Sequence, residues 1–191
     1  MFRRTEDFER IWWVECAVTS RMLRNVTEAS LAQRESPDGR TLGETIWRLA
    51  TALGDIMRPT DVIIQAAVSA DPMPATLEEL LDAYRVATRS FIEQIRGQWD
   101  NPYLLKEIEI SGEPRPRGFF LYAVLREQLQ LRGQLATLMR QAGLEVPSLN
   151  IPTREEMEEM YRQRKRHRLV DDKRGRNTRF RGVRPPDESG G

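Results

Sequence analysis

The sequence has few of the residues that bind metals or form disulfides: its 191 residues include one Cys and one His. One cysteine cannot form an intrachain disulfide, which excludes a disulfide-stabilised secreted domain. One cysteine and one histidine cannot supply a Cys/His zinc site. The chain also lacks an apolar run near the roughly 18 residues that span a bilayer, and its first residues lack the apolar core of a signal peptide. These absences predict a soluble, cytoplasmic protein without a membrane partner.

The net charge of +1 conceals two regions of opposite charge. Residues 162–184 hold 11 basic and two acidic side chains, a net charge of +9, whereas residues 1–161 hold 19 basic and 25 acidic side chains, a net charge of −6. Few large apolar residues follow residue 161, and too little apolar surface is then available to offset the entropy of ordering the chain. We therefore expect a helical domain over 1–150, followed over 151–191 by a charged helix and a disordered basic tail.

Apolar residues recur at three- and four-residue spacing in four segments, which predicts four amphipathic helices. Thr41 with Glu44, and Thr76 with Glu79, have the spacing of a capping box, which marks the start of the second and third helices. Glycines and prolines suggest where the helices end. The predicted helices cover residues 5–25, 41–59, 76–97 and 117–142.

Two further local signals complete the secondary structure. The alternation at Ile108 and Ile110 predicts a short extended piece that turns at Gly112. Thr153 and Glu156 form a third capping box, which opens the charged helix. Four long helices without a convincing sheet predict an all-α, up-down four-helix bundle with a basic C-terminal extension.

Two stretches resemble signatures of the DinB-like (DinB/YfiT-like) four-helix bundles. Residues 41–50, TLGETIWRLA, resemble the second-helix signature, and residues 129–147 resemble the final-helix signature. The latter contains Arg-Gly-Gln-Leu at 132–135, then Gly143 and Pro147. The resemblance covers about residues 5–147. It implies the bundle fold, and homodimerisation is common among such bundles.

The resemblance also implies a metal site, because members are typically described as binding a metal through three histidines. One lies on the second helix and two form a His-x-x-x-His pair on the last. Matching the signatures places these ligands at Arg48, Glu127 and Leu131. Arginine is always protonated and only donates hydrogen bonds, leucine has no ligand atom, and one carboxylate is not a zinc site. We therefore expect that this chain has lost the metal site and holds no cofactor.

Arg48 and Glu127 suggest what replaces the metal. An unpaired buried carboxylate is costly, so one hypothesis is an Arg48–Glu127 ion pair at the position of the family's cation. The alternative is that the two are unrelated surface charges, since Arg48 lies on the flank of its helix's apolar stripe. With Trp47 and Gln130 they outline a candidate ligand pocket. Cys16 has no histidine of the bundle to activate it, which favours a buried structural thiol.

The basic tail is a second candidate site. Arginine binds phosphates through bidentate hydrogen bonds, and an aromatic side chain stacks on bases, so residues 162–184 suit nucleic acid or another anionic partner. Docking on the acidic bundle and the absence of a specific role are the alternatives, and His167 is interpreted as a solvated tail residue. The candidate anion-binding residues are Arg164, Lys165, Arg166, Arg174, Arg176, Arg179, Phe180 and Arg181.

Three functions remain open on the sequence. The first is a metal-free, non-catalytic bundle that binds a small ligand or acts as a structural or interaction module. The second is a divergent hydrolase or thiol S-transferase of the DinB-like superfamily. The third is a nucleic-acid-associated module acting through the tail. The sequence favours the first, because it offers neither a metal triad nor a phosphate-binding loop.

Overall fold

A computed structural model of the protein describes Phe2 and residues 4–148. Residues 4–146 belong to one compact unit. The predicted boundary at residue 150, the third capping box, His167 and the whole basic tail lie outside the described residues. Among residues 4–148, no helix has both the length and the apolar character needed to cross a bilayer.

The described residues contain four α-helices, which confirms the all-α four-helix bundle predicted from the sequence. A short 3-10 turn at Glu28–Ser30 lies between the first two helices, and a second at Tyr103–Leu105, followed by one β-hairpin, lies between the last two. The helices are α1 (Thr5–Leu23), α2 (Leu42–Met57), α3 (Leu77–Gln98) and α4 (Gly118–Gln141), and the strands are β1 (Glu107–Ile110) and β2 (Glu113–Pro116).

Both predicted capping boxes within the described residues are confirmed. The Glu44 N–H donates to Thr41 Oγ1 at 3.1 Å, and the Thr41 N–H donates to Glu44 Oε2 at 2.6 Å. At the start of α3, the Glu79 N–H donates to Thr76 Oγ1 at 3.3 Å, and the Thr76 N–H donates back to Glu79 Oε2 at 3.2 Å. Each pair satisfies two backbone donors that a helix start would otherwise leave unpaired.

The observed ends of α4 and α3 each lie within one residue of the predicted ends. Gly143, with φ of +71°, ends α4 in a Schellman motif, in which the Leu144 N–H reaches Met139 O at 2.9 Å. Gly97 instead lies inside α3, which continues to Gln98. The helix ends there because the next residue, Trp99, adopts an extended conformation and buries its indole.

The contacts also give the direction of each helix. The Leu42 N–H at the start of α2 donates to Gln33 O at 2.7 Å, and the Leu77 N–H at the start of α3 donates to the Glu28 carboxylate at 3.0 Å. Both acceptors belong to the connector that follows α1. Helices α2 and α3 therefore begin at the same end of the bundle and run in parallel, and residues 58–76 return the chain along the bundle between them. The four described helices thus share the predicted bundle but not the alternating up-down order that the sequence predicted.

The core lies between the four helices and is rich in aromatic residues. Trp12 stacks near Phe8 with ring centroids 5.9 Å apart, and both rings meet Phe91 of α3 edge-on. All three side chains are fully buried. Such rings contribute large buried areas, so they fix α1 against α3 at the end of the bundle remote from the capping boxes.

Candidate functional site

Arg48 is the centre of a charged cluster between α2 and α4. Its Nε donates to Glu127 Oε1 at 3.3 Å, and its Nη1 donates to Asp55 Oδ2 at 2.5 Å. The side chains of Arg48 and Glu127 are each 25% exposed, and that of Asp55 is 17% exposed. The structure thus places the two sequence-predicted residues in contact, as an ion pair at the edge of the core rather than deep within it.

Asp55 is the member of the cluster that the sequence analysis did not identify. It also accepts hydrogen bonds from Arg58 Nη2 at 3.1 Å and from the Ser69 N–H at 3.4 Å. Burial alone opposes ionisation of this carboxyl, but hydrogen bonds from Ser69 and Arg48 outweigh it and lower the pKa of Asp55 below its ordinary value. Asp55 is therefore an anion at neutral pH and holds Arg48 from the α2 side.

Leu131, the third position matched to a histidine of the family, contributes no polar atom to the cluster. It lies one helical turn after Glu127 and its side chain is 1% exposed. In residues 4–148, no group of three or more His, Cys, Asp or Glu side chains lies close enough together to hold a metal ion. A guanidinium in contact with both carboxylates also disfavours a second cation there. The donor set present does not fit a divalent metal.

A cleft of about 520 Å³ opens beside the cluster and brings together all four residues of the predicted pocket. Its lining is largely polar, with a hydroxyl on α2 from Thr51 and one on the returning segment from Ser69. Thr51 Oγ1 donates to Trp47 O at 3.2 Å, so the Thr51 hydroxyl proton is already bound to the backbone. The complete lining is Arg40, Glu44, Trp47, Arg48, Thr51, Ser69, Glu127 and Gln130.

The lining combines charged and polar groups in one cleft. It holds no histidine or cysteine to act near neutral pH, and its guanidiniums only donate hydrogen bonds. Charged groups of both signs lie beside an amide, an indole and two hydroxyls. This set can recognise a small polar molecule by hydrogen bonds and ion pairs, but it provides no base aligned with a nucleophile.

A second polar network lies inside the bundle and explains part of the final-helix signature. Arg132 of that signature is 3% exposed and forms an ion pair with Glu15 of α1. Gln128 Nε2 donates to Thr19 Oγ1 at 3.1 Å and to the Tyr84 hydroxyl at 2.6 Å. The network ties α4 to α1 and α3, so Arg132 of the signature has a structural role in this chain.

Cys16 lies beside this network. Burial raises the pKa of the Cys16 thiol to about 12, so it stays protonated at neutral pH. A protonated, buried thiol is a poor nucleophile, which agrees with the structural role expected from the sequence.

The fold and the site together define the class of protein. It is a four-helix bundle with a polar cleft between its second and fourth helices. The sequence profile of the DinB family matches residues 1–167, and the chain belongs to that family. YrdA of Bacillus subtilis (strain 168), an uncharacterized protein, is 33% identical over 156 residues, which cover 82% of this chain and 93% of YrdA.

Two crystal structures of DinB-like proteins share the fold. The protein from Bacillus cereus ATCC 10987 is 32% identical, with a TM-score of 0.74 over 78% of this chain and 99% of that chain. The second, YjoA from Bacillus subtilis, is 13% identical, with a TM-score of 0.57 over 76% of this chain and 96% of that chain. At that identity, YjoA is similar in fold alone.

Proposed function

We propose that this DinB-family chain is a non-catalytic bundle whose α2–α4 cleft binds a small polar ligand without a metal. The observation that carries the proposal is the position of Arg48, which contacts Glu127 at 3.3 Å and Asp55 at 2.5 Å. In this proposal the guanidinium supplies the positive charge that a metal supplies in relatives with the histidine triad.

Electrostatics supports the replacement. Arg48 keeps its charge at every physiological pH, whereas a metal site must be filled from solution. Two carboxylates and one guanidinium leave a local charge of −1, and Arg58 beyond Asp55 balances it. A divalent cation could bind the two carboxylates only by displacing Arg48, and the displaced guanidinium would compete with the cation for both of them. The arrangement is therefore stable without a metal.

The charges that line the cleft indicate the chemical class of the ligand. The lining contains two arginines, Arg40 and Arg48, and two glutamates, Glu44 and Glu127, and Gln130 adds both a donor and an acceptor. Equal numbers of positive and negative side chains favour a zwitterion or a neutral polyhydroxy compound over a strongly charged ion. Arg48 uses two of its five N–H donors within the cluster, which leaves others for such a ligand.

Metal analysis of the purified full-length chain tests the metal-free part of the proposal. After growth in medium supplemented with zinc, nickel and manganese, we expect much less than one metal ion per chain by inductively coupled plasma mass spectrometry. One tightly bound ion per chain would contradict the proposal. It would favour the alternative, a divergent hydrolase or thiol S-transferase of the superfamily.

A ligand screen by thermal shift tests the cleft itself. We expect the zwitterionic or polyhydroxy compounds that stabilise the native chain to lose their effect in Gln130→Ala. The matched control is Gln134→Ala, because Gln134 is also an exposed glutamine of α4 but lies outside the cleft lining. Equal stabilisation of both variants would place the ligand elsewhere.

We propose a second copy of this chain as one partner. Helices α1 and α4 pack together and expose four large apolar side chains, Ile11, Val14, Tyr122 and Leu129. Scattered single apolar residues are ordinary, but four on two adjacent helices suit a self-complementary contact. Light scattering after size exclusion should give twice the chain mass, and Val14→Glu should give a monomer. A monomeric native chain would contradict this proposal.

We further propose that residues 162–184 bind nucleic acid, on the strength of their charge of +9. Deleting residues 162–191 should abolish binding, and the affinity of the intact chain should fall steeply with salt because bound phosphates release counterions. Binding that survives the deletion would exclude the tail as the site.

We also propose that the chain resides in the cytoplasm. Its single cysteine cannot form an intrachain disulfide, and proteins of a reducing compartment do not depend on disulfides.

A further inference from the structure

A second cavity, here called the groove, lies between α1 and α3 and is larger than the α2–α4 cleft. Its volume is about 740 Å³, against about 520 Å³ for the cleft, and the two share no lining residue. A volume of this size falls within the range of small-molecule sites in proteins. The groove is thus a candidate site independent of the proposed function.

The groove exists because one face of α1 carries small residues at its middle. Trp13, Ala17, Ser20 and Arg24 follow one another at four- and three-residue spacing, so they lie along the same side of the helix. Ala17 and Ser20 are too short to fill the space towards α3. From residue 13 to residue 24, at about 1.5 Å of rise per residue, the groove is about 16 Å long.

The floor of the groove is apolar or uncharged. Leu81 and Ile92 of α3 supply aliphatic surface, and Cys16 and Tyr84 also line the groove. Burial raises the pKa of Cys16 to about 12 and the pKa of Tyr84 well above its ordinary value. Both groups are therefore neutral at physiological pH, and the floor offers no charge to a ligand. It suits an apolar body.

The rim of the groove is positively charged. Its lining comprises four arginines and one acidic residue, Glu93. In the part of the chain that the structure describes, Arg24 forms no ion pair. Arg85, Arg89 and Arg96 pair with Asp82, Glu93 and Glu9, but all three guanidiniums are more than half exposed. Exposed pairs of this kind contribute little, so a ligand carboxylate can exchange with them.

We propose that this groove binds an anionic amphiphile: an unbranched apolar chain of about 16 Å that ends in a carboxylate. The carboxylate lies at the Arg24 end, where Arg85 of α3 also lines the groove, and accepts hydrogen bonds from the Arg24 guanidinium. The apolar chain runs over Ala17 and Cys16 towards Trp13. Charge complementarity selects this occupant over a neutral or cationic amphiphile of the same length.

Calorimetric titration of the full-length chain with laurate, below its micelle concentration, tests the proposal. Dodecyl maltoside and dodecyltrimethylammonium serve as neutral and cationic probes with the same apolar chain. We expect one saturable laurate site per chain and weaker binding of both other probes. The absence of saturable laurate binding, or equal affinity for the three amphiphiles, would overturn the proposal.

Two variants locate the site, and each has a matched control. Ala17→Trp fills the middle of the groove and should abolish laurate binding, whereas Gln134→Trp, also at an exposed helical position, should not. Arg24→Glu should weaken laurate binding about tenfold, the effect of losing a charge-assisted hydrogen bond, whereas Arg126→Glu on α4 should not. Circular dichroism establishes that each variant is folded. Laurate affinity unchanged by Ala17→Trp would overturn the proposal.

Discussion

Replacing Arg48 by alanine measures how much the charged cluster stabilises the bundle. The substitution removes the hydrogen bonds of Arg48 to Asp55 and Glu127, at 2.5 and 3.3 Å. A hydrogen bond to a charged group contributes about 1.5–3 kcal/mol when buried, and an exposed ion pair about 0.2–1 kcal/mol. Since the three side chains are 17–25% exposed, we expect an intermediate loss of about 1–2 kcal/mol in the free energy of unfolding.

Urea denaturation followed by circular dichroism at pH 7 measures this loss. The matched control is Arg58→Ala, because Arg58 binds the same Asp55 carboxylate at 3.1 Å but its side chain is 68% exposed. We expect that variant to lose less than about 0.5 kcal/mol. A double-mutant cycle with Glu127→Gln then isolates the pair across the bundle. An Arg48→Ala loss below about 0.5 kcal/mol, or zero coupling to Glu127, would refute the reasoning.

The same variant has a predicted pH dependence. The pKa of Asp55 is lowered in the folded chain, so its contribution to stability is present above the unfolded value, near 3.9, and is lost as pH falls through the lower folded value. Removing Arg48 reduces this contribution. The difference in unfolding free energy between the native chain and Arg48→Ala should therefore be constant from pH 7 to about pH 5 and shrink below about pH 4. A difference that grows on acidification would contradict this assignment.

Three further predictions concern stability and reactivity. Arg132→Met should cost about 3–5 kcal/mol in urea denaturation, because it leaves the Glu15 carboxylate largely buried without its partner, and a loss near zero would show that Glu15 reaches water. Thr41→Ala should cost about 1 kcal/mol in the same assay by removing the cap of α2, whereas Thr137→Ala at an exposed position of α4 should cost less. Cys16 should react with a thiol reagent at pH 8 only after denaturation, since its pKa is raised to about 12, and fast labelling of the folded chain would contradict its burial.

Local signals predicted the helices well because each signal is complete within a few residues. Thr41 and Glu44 satisfy each other's backbone groups, and Gly143 adopts the positive φ that its position after a helix requires. Gly97 itself does not end α3, which continues one residue further to Gln98. The end of α3 is set by Trp99, whose burial depends on the rest of the bundle and is invisible in the local sequence.

The hairpin and the helix directions show the limit of periodicity. The extended piece around Ile108 was predicted, but its partner strand β2 was not, because its sequence, Glu-Pro-Arg-Pro, has neither alternation nor β-forming residues. Proline is tolerated there because the sheet has two strands and each has an unpaired edge. The parallel course of α2 and α3 follows from contacts with the connector after α1. The apolar periodicity of each helix carries no information about such contacts.

The sequence identifies Arg48 and Glu127 as members of the charged cluster, whereas only the structure identifies Asp55. The reason is the position of each residue in the bundle. The two signatures identify facing positions on α2 and α4, which suggests a pair across the bundle. Asp55 is seven residues after Arg48 on the same helix, about two turns away, a separation too large for an ordinary helical ion pair. The long Arg48 side chain reaches it because it lies along the helix axis. Asp55 is also held by the Ser69 N–H, so its orientation depends on the returning segment.

This geometry gives the returning segment a role in the proposed cleft. Residues 58–76 connect two parallel helices and must run back along the bundle, and their course brings Ser69 to within 3.4 Å of Asp55. Asp55 in turn orients Arg48, and Arg48 orients Glu127. In the proposed function, the returning segment, which the parallel helices require, therefore positions the Arg48 guanidinium. Substitutions in that segment would alter ligand binding without touching α4, whereas a cluster built only from α2 and α4 would be insensitive to them.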